Sequence, residues 1–151
     1  MWNAEKSVTL SKFSVIFCIA LLVAAAIFVP FIGNALSNAN AAGWFALHWH
    51  GYFLITCYVG LIPSGALLIT LLRLLIRLER GSVFTAKNVA ALRVISWYCF
   101  AGALLSAVSA AYYVPWVFVA AAAAFMGLIV RVVKNIFSRA VALQNDADFT
   151  I

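Results

Sequence analysis

The chain has 151 residues and a formal charge of +6, with 67% hydrophobic residues, only 9% charged residues and a mean hydropathy of +1.10. These values exclude a soluble globular protein, and several spans of about 20 residues each leave no room for a large soluble domain. The positive charge does not point to nucleic acid, because the basic residues sit in short runs at the ends of apolar segments, without aromatic platforms in water. The composition predicts an all-α integral membrane protein in contact with the lipid bilayer.

A short polar start with Lys6 and Lys12 precedes the first apolar run, residues 13–32, which is long enough to span. Pro30, Gly33 and Asn34 read as its stop, since proline lacks a backbone donor and Gly and Asn tolerate helix-ending geometry. A secretory signal peptide is the competing reading, because Ala39-Asn40-Ala41 mimics a small-x-small cleavage site. The run exceeds the 7–15 residues usual for a signal core, which favours an uncleaved helix.

An uncharged stretch, residues 34–51, reads as an outer loop carrying Trp44, Phe45, His48, Trp49 and His50. A second span, residues 52–72, holds Pro63, where a kink is expected, with Ser64 or Thr56 taking up the freed carbonyl. Residues 73–93 form the only water-compatible stretch in the middle of the chain. They carry Arg73, Arg77, Arg80, Lys87 and Arg93 against Glu79 alone. Within this hinge Gly81 ends the second helix and Thr85 is the N-cap of the third. Phe84 stands in the position of a hydrophobic staple, and Asn88 stands where a capping box prefers Glu or Gln.

The third span covers residues 94–113. A turn near Tyr112, Tyr113, Val114 and Pro115 leads directly into the fourth, residues 116–133, so these two helices are antiparallel neighbours. The chain leaves through Arg131, Lys134 and Arg139 into a polar tail, residues 138–151, with Asp146 and Asp148. All ten lysines and arginines lie at the start, in the hinge or at this exit. The positive-inside rule therefore puts both termini and the hinge in the cytoplasm. Tyr52, Tyr58, Trp44, Trp49, Tyr112, Tyr113 and Trp116 gather at the outer side as an aromatic belt, with Trp97 and Tyr98 near the inner interface. Gly102, Ser106 and Ala110 on the third helix and Ala123 and Gly127 on the fourth form small-residue faces. Those faces suit packing between the two helices, with a homodimer as the alternative.

No Asp, Glu, Lys, Arg or His falls in the middle of a span, which weighs against ion-coupled transport. Cys18, Cys57 and Cys99 are solitary and read as core thiols. His48 and His50 share one loop without further ligands, so neither zinc nor haem is expected, and they read as interfacial histidines. With no phosphate-binding glycine loop, nucleophile elbow or paired carboxylates, no catalytic residue and no cofactor is predicted.

The four spans, the hinge phrase ERGSVFTAKNVAALRVISW and the ending NDADFTI resemble the bacterial membrane family known as domain of unknown function 2975. In that family the hinge reads Gly, x, x, Phe-Thr, x, x, Asn, matched here by Gly81, Phe84, Thr85 and Asn88, with Leu92 and Arg93 following. The family tail commonly ends Glu-Asn-Asp-Leu-Thr-Ile. Asp148, Phe149, Thr150 and Ile151 match its last four positions in type, whereas Asp146 and Ala147 replace Glu and Asn. The resemblance implies a small four-helix protein of the bacterial inner membrane, many members being encoded beside a short Cro-like helix-turn-helix regulator.

Hinge and tail share the predicted cytoplasmic face, where they are expected to pair with each other or to dock a soluble partner. The docking candidates are Gly81, Phe84, Thr85, Asn88, Arg93, Asp146, Asp148, Phe149, Thr150 and Ile151. The leading expectation is a non-enzymatic membrane partner of a cytosolic helix-turn-helix transcription factor that does not itself touch DNA. The alternative is a small permease or channel subunit acting as a homo-oligomer.

Overall fold

The computed structural model describes the backbone of residues 4–39 and 44–150, with side chains for residues 7–35 and 48–150. Four helices follow one another: α1 (Ala4–Ala39), α2 (Trp44–Glu79), α3 (Ala86–Ser109) and α4 (Trp116–Phe149). No strand occurs among the described residues. All four are long and apolar enough to cross a membrane. Even α3, with 24 residues, reaches about 36 Å against a hydrocarbon core of about 30 Å. Phe13 (68% exposed), Ile62 (73%) and Phe118 (77%) show large apolar side chains pointing away from the protein, a surface that suits lipid and not water. The fold is that of a multi-pass membrane protein.

The helices pack in chain order, α1 on α2, α2 on α3 and α3 on α4. Among the described residues α1 makes no close backbone approach to α4, so the array is not closed by direct packing. Two apolar clusters hold it together. At the end opposite the hinge, Val29, Trp49 and Phe53 are buried against Tyr112, Tyr113 and Trp116. Near the hinge, Leu74, Leu92 and Ile95 are buried against Val130, Val133 and Phe137. Between them lies a cavity of about 310 Å³ bordered by all four helices.

The expected stop at Pro30 is not a stop. Helix α1 continues through it to Ala39, and the stretch read as an outer loop is largely helical on both sides, with α2 starting at Trp44. Proline at position 30 cannot donate to the Ala26 carbonyl one turn earlier. The Tyr58 hydroxyl of α2 donates to that carbonyl instead, at 3.2 Å. A freed carbonyl in a span needs such a donor, since lipid offers none. Gly33 likewise serves packing, since a Cβ there would sit 3.1 Å from the His50 ring and 3.3 Å from Phe53. Of the candidate cleavage segment, Asn40 and Ala41 lie outside the described residues.

Helix α2 also runs unbroken through Pro63. The carbonyl freed by Pro63 is that of Val59, and neither expected side chain takes it up: Ser64 donates to the Gly60 carbonyl at 2.7 Å, and Thr56 reaches across to Ser109 on α3 at 2.9 Å. Because Ser109 already donates its proton to the Leu105 carbonyl, Thr56 is the donor of this interhelical bond. Trp49 is 3% exposed, stacked on Phe53 and edge-on to Tyr112 and Tyr113, so it belongs to the interior and not to the lipid-facing belt. Tyr52 and Tyr58 do face outward.

The expected α3–α4 interface shifts along α3. Gly127 is the point of close approach: a Cβ there would meet Cys99 and Phe100 at 3.2 Å, and its carbonyl accepts from Ser96 at 3.1 Å. A Cβ on Gly102 would meet nothing within 4 Å. Gly102, Ser106 and Ala123 border the central cavity, and Ala110 is the C-cap of α3. Four-residue spacing identifies a face of small residues but not the neighbour it faces.

Candidate functional site

The charged end of the bundle gathers the family-like motifs, and its geometry starts at the close of α2. Gly81 has φ +81°, a left-handed conformation that glycine adopts without penalty, and its N–H donates to the Leu78 carbonyl at 3.1 Å. Four residues later Thr85 takes extended geometry and caps α3, its side-chain oxygen accepting from the Asn88 N–H at 3.3 Å. Gly81 as terminator and Thr85 as cap are thus where the sequence placed them.

Asn88 does something the sequence reading missed. It is 0% exposed, and its side-chain NH₂ donates to the Ser82 carbonyl at 2.7 Å and the Val83 carbonyl at 2.9 Å. Two carbonyls can be met only by the donor end of the amide, which fixes its orientation. The first turn of α3 thereby grips the connection that precedes it. A side chain with no exposed surface cannot be a docking contact, so Asn88 leaves the docking set and becomes the clasp of the hinge. Phe84 lies against Phe137 of α4, ring centroids 5.4 Å apart, tying the hinge to the last helix. The signal for this clasp was present in the spacing, since an Asn three residues into a helix can reach back to carbonyls before the cap.

Hinge and tail do not meet through their charges. The polar tail is helical as far as Phe149. At the helical rise, Phe149 stands about 18 Å beyond Phe137, where α4 touches the hinge. Leu143 (69% exposed) and Phe149 (91%) are bare on this extension, and Asp146 and Asp148 are exposed. Neither carboxylate pairs with a hinge arginine; Thr150 donates to the Asp146 backbone carbonyl. Ile151 lies outside the described residues. Glu79 pairs with Lys12 of α1 at 2.7 Å, a link between the first two helices that sequence did not suggest. Arg93 lies lower on α3, beside Arg131 and Lys134 of α4.

The central cavity is the second place with chemical possibilities. Thr56, Ser64 and Ser106 border it among mostly apolar neighbours, and so does Trp116, whose indole N–H is buried with no protein acceptor. Above it, the Tyr112 hydroxyl and His50 Nδ1 are also buried without partners. Among the described residues no group of three His, Cys, Asp or Glu is placed to hold a metal ion.

The family described as "Protein of unknown function (DUF2975)" matches residues 5–151, and the chain belongs to it. No curated protein and no solved structure matches the chain.

Proposed function

We propose that this protein is a non-enzymatic component of the bacterial cytoplasmic membrane, both termini inside, that docks a cytosolic helix-turn-helix regulator on the free end of α4. One observation carries the reading: α4 extends about three turns past the hinge with Leu143, Asp146, Asp148 and Phe149 exposed, and none of the other described residues is packed there. Exposed apolar side chains interspersed with acids at the end of a helix suit an apolar surface with a basic rim on a soluble partner. The orientation follows from the positive-inside rule, since every lysine and arginine lies at the end that holds the hinge. A regulator held there is kept from DNA.

The test is purification from native membranes of the full chain and of a chain lacking residues 146–151. A helix-turn-helix protein that accompanies the full chain and is lost with the deletion supports the reading. Equal recovery with both chains, recovery with neither, or a DNA reporter unchanged when this protein is absent counts against it. The central cavity favours a second reading, a permease or channel subunit that completes a pore by self-association, and flux through reconstituted oligomers would support it.

A further inference from the structure

We propose that the cleft between α3 and α4 at the hinge end is a binding site for the phosphate of an anionic phospholipid. Arg93, Ser96 and Trp97 of α3 and Arg131 and Lys134 of α4 enclose a small space of about 70 Å³, enough for one compact oxyanion. Three cations from two helices converge there. The Arg131 guanidinium carbon is 5.6 Å from the ring centroids of both Trp97 and Phe100, so the group is held by two aromatic faces. Ser96 spends its proton on the Gly127 carbonyl and seals the floor where the helices touch.

The argument for an external anion is a balance of charge. Like charges brought together at the edge of a low-dielectric slab repel, and an anion between them relieves that repulsion. Of the described carboxylates, Glu79 is engaged with Lys12. Asp146 lies twelve residues beyond Lys134 on α4, about 18 Å away along the helix. Asp148 lies two residues farther still along the same helix. Among the described residues no carboxylate lines the cleft, which leaves its charge open to an external anion, and a guanidinium fork with an ammonium beside it matches phosphate oxygens.

Position separates a lipid phosphate from a free one. The cleft opens where the apolar part of α3 and α4 ends, and its walls continue into exposed Trp97 (60%), Leu128 (54%) and Val132 (58%). Acyl chains can lie along those side chains while the headgroup enters the cleft, and inorganic phosphate would gain nothing from them. This inference needs only the membrane setting, and does not depend on the docking of a regulator.

The experiment is native mass spectrometry of the full chain purified in detergent, with dioleoyl-phosphatidylglycerol, dioleoyl-phosphatidylcholine or inorganic phosphate added. The expected result is preferential retention of phosphatidylglycerol, undiminished by inorganic phosphate. Retention should weaken about fivefold in each of R93Q, R131Q and K134Q and stay unchanged in R139Q, which removes the same charge from the same helix outside the cleft. Equal retention of the two lipids, displacement by inorganic phosphate, or an equal loss in R139Q overturns the proposal. Should the cleft variants fail to fold, a headgroup-photoreactive phosphatidylglycerol on the unaltered chain decides. Labelling concentrated on the peptides around Trp97 and Arg131 supports the site, and labelling spread over Arg73, Arg77 and Arg80 overturns it.

Discussion

Replacing Asn88 with alanine removes both hydrogen bonds of the hinge clasp, at 2.7 and 2.9 Å, from a residue with no exposed surface. A net value of about 1 kcal/mol per bond, with a similar amount for the packing lost, gives a destabilisation of roughly 2–3 kcal/mol. Asn88→Asp sharpens the test, because it keeps the shape but turns acceptor oxygens and a buried charge toward the Ser82 and Val83 carbonyls. It should be worse than alanine, since a buried charge without a donor costs more than a cavity of a few atoms. Thr85→Ala should cost about 1 kcal/mol, the usual value of an N-cap. The assay is unfolding in mixed micelles by titrated sodium dodecyl sulfate, followed by tryptophan fluorescence. An Asn88→Ala cost under about 0.5 kcal/mol, or an Asn88→Asp variant as stable as the parent, would refute the clasp.

Three further outcomes can be read in the same assay. Tyr58→Phe should lose about 1 kcal/mol by stranding the Ala26 carbonyl, and the loss should shrink in a Pro30→Ala background, where residue 30 supplies its own N–H; an unchanged loss there would separate Tyr58 from the proline. Gly127→Ala should destabilise by about 1–3 kcal/mol through overpacking against Cys99 and Phe100, whereas Gly102→Ala, which meets only open space, should be neutral or stabilising by up to about 1 kcal/mol. The reverse order would put the close contact on the other glycine. Lys12→Ala should change stability by less than about 1 kcal/mol, because the Lys12–Glu79 pair is partly exposed, and a larger loss would show that α1 depends on it.

The four helices and the concentration of positive charge at one end were legible because both are properties of whole segments. Long, almost wholly apolar segments and ten cations with no exception in placement do not depend on tertiary detail. Local punctuation was less reliable, and Pro30 shows why. In water the sequence Pro30 to Asn34 offers the backbone an exit to solvent, but in a span the helix is the cheapest way to satisfy its carbonyls, so α1 continues and Tyr58 supplies the missing donor. The polar composition of the tail does not by itself distinguish helix from coil, and the structure shows the helix running on to Phe149. Gly102 and Gly127 carry the same spacing signal, and only the rotation of the helices decides which one faces a neighbour. The capping-box pattern undervalues Asn88 because it asks the third residue for an acceptor toward the cap N–H, whereas Asn88 uses its amide donors on the carbonyls of Ser82 and Val83. The convergence of Arg93, Arg131 and Lys134 needs the register of α3 on α4, which no periodicity contains.

Docking of a cytosolic regulator at the end of α4 requires the hinge and the end of α4 to share the cytoplasmic side. The most direct measurement replaces Cys18, Cys57 and Cys99 with serine, adds a single cysteine at Ser82, Ala111 or Arg139, and labels intact cells with an impermeant maleimide before and after lysis. The account predicts labelling of the Ala111 position in intact cells and of the Ser82 and Arg139 positions only after lysis. Labelling of Ser82 or Arg139 in intact cells would put the charged end outside and contradict it.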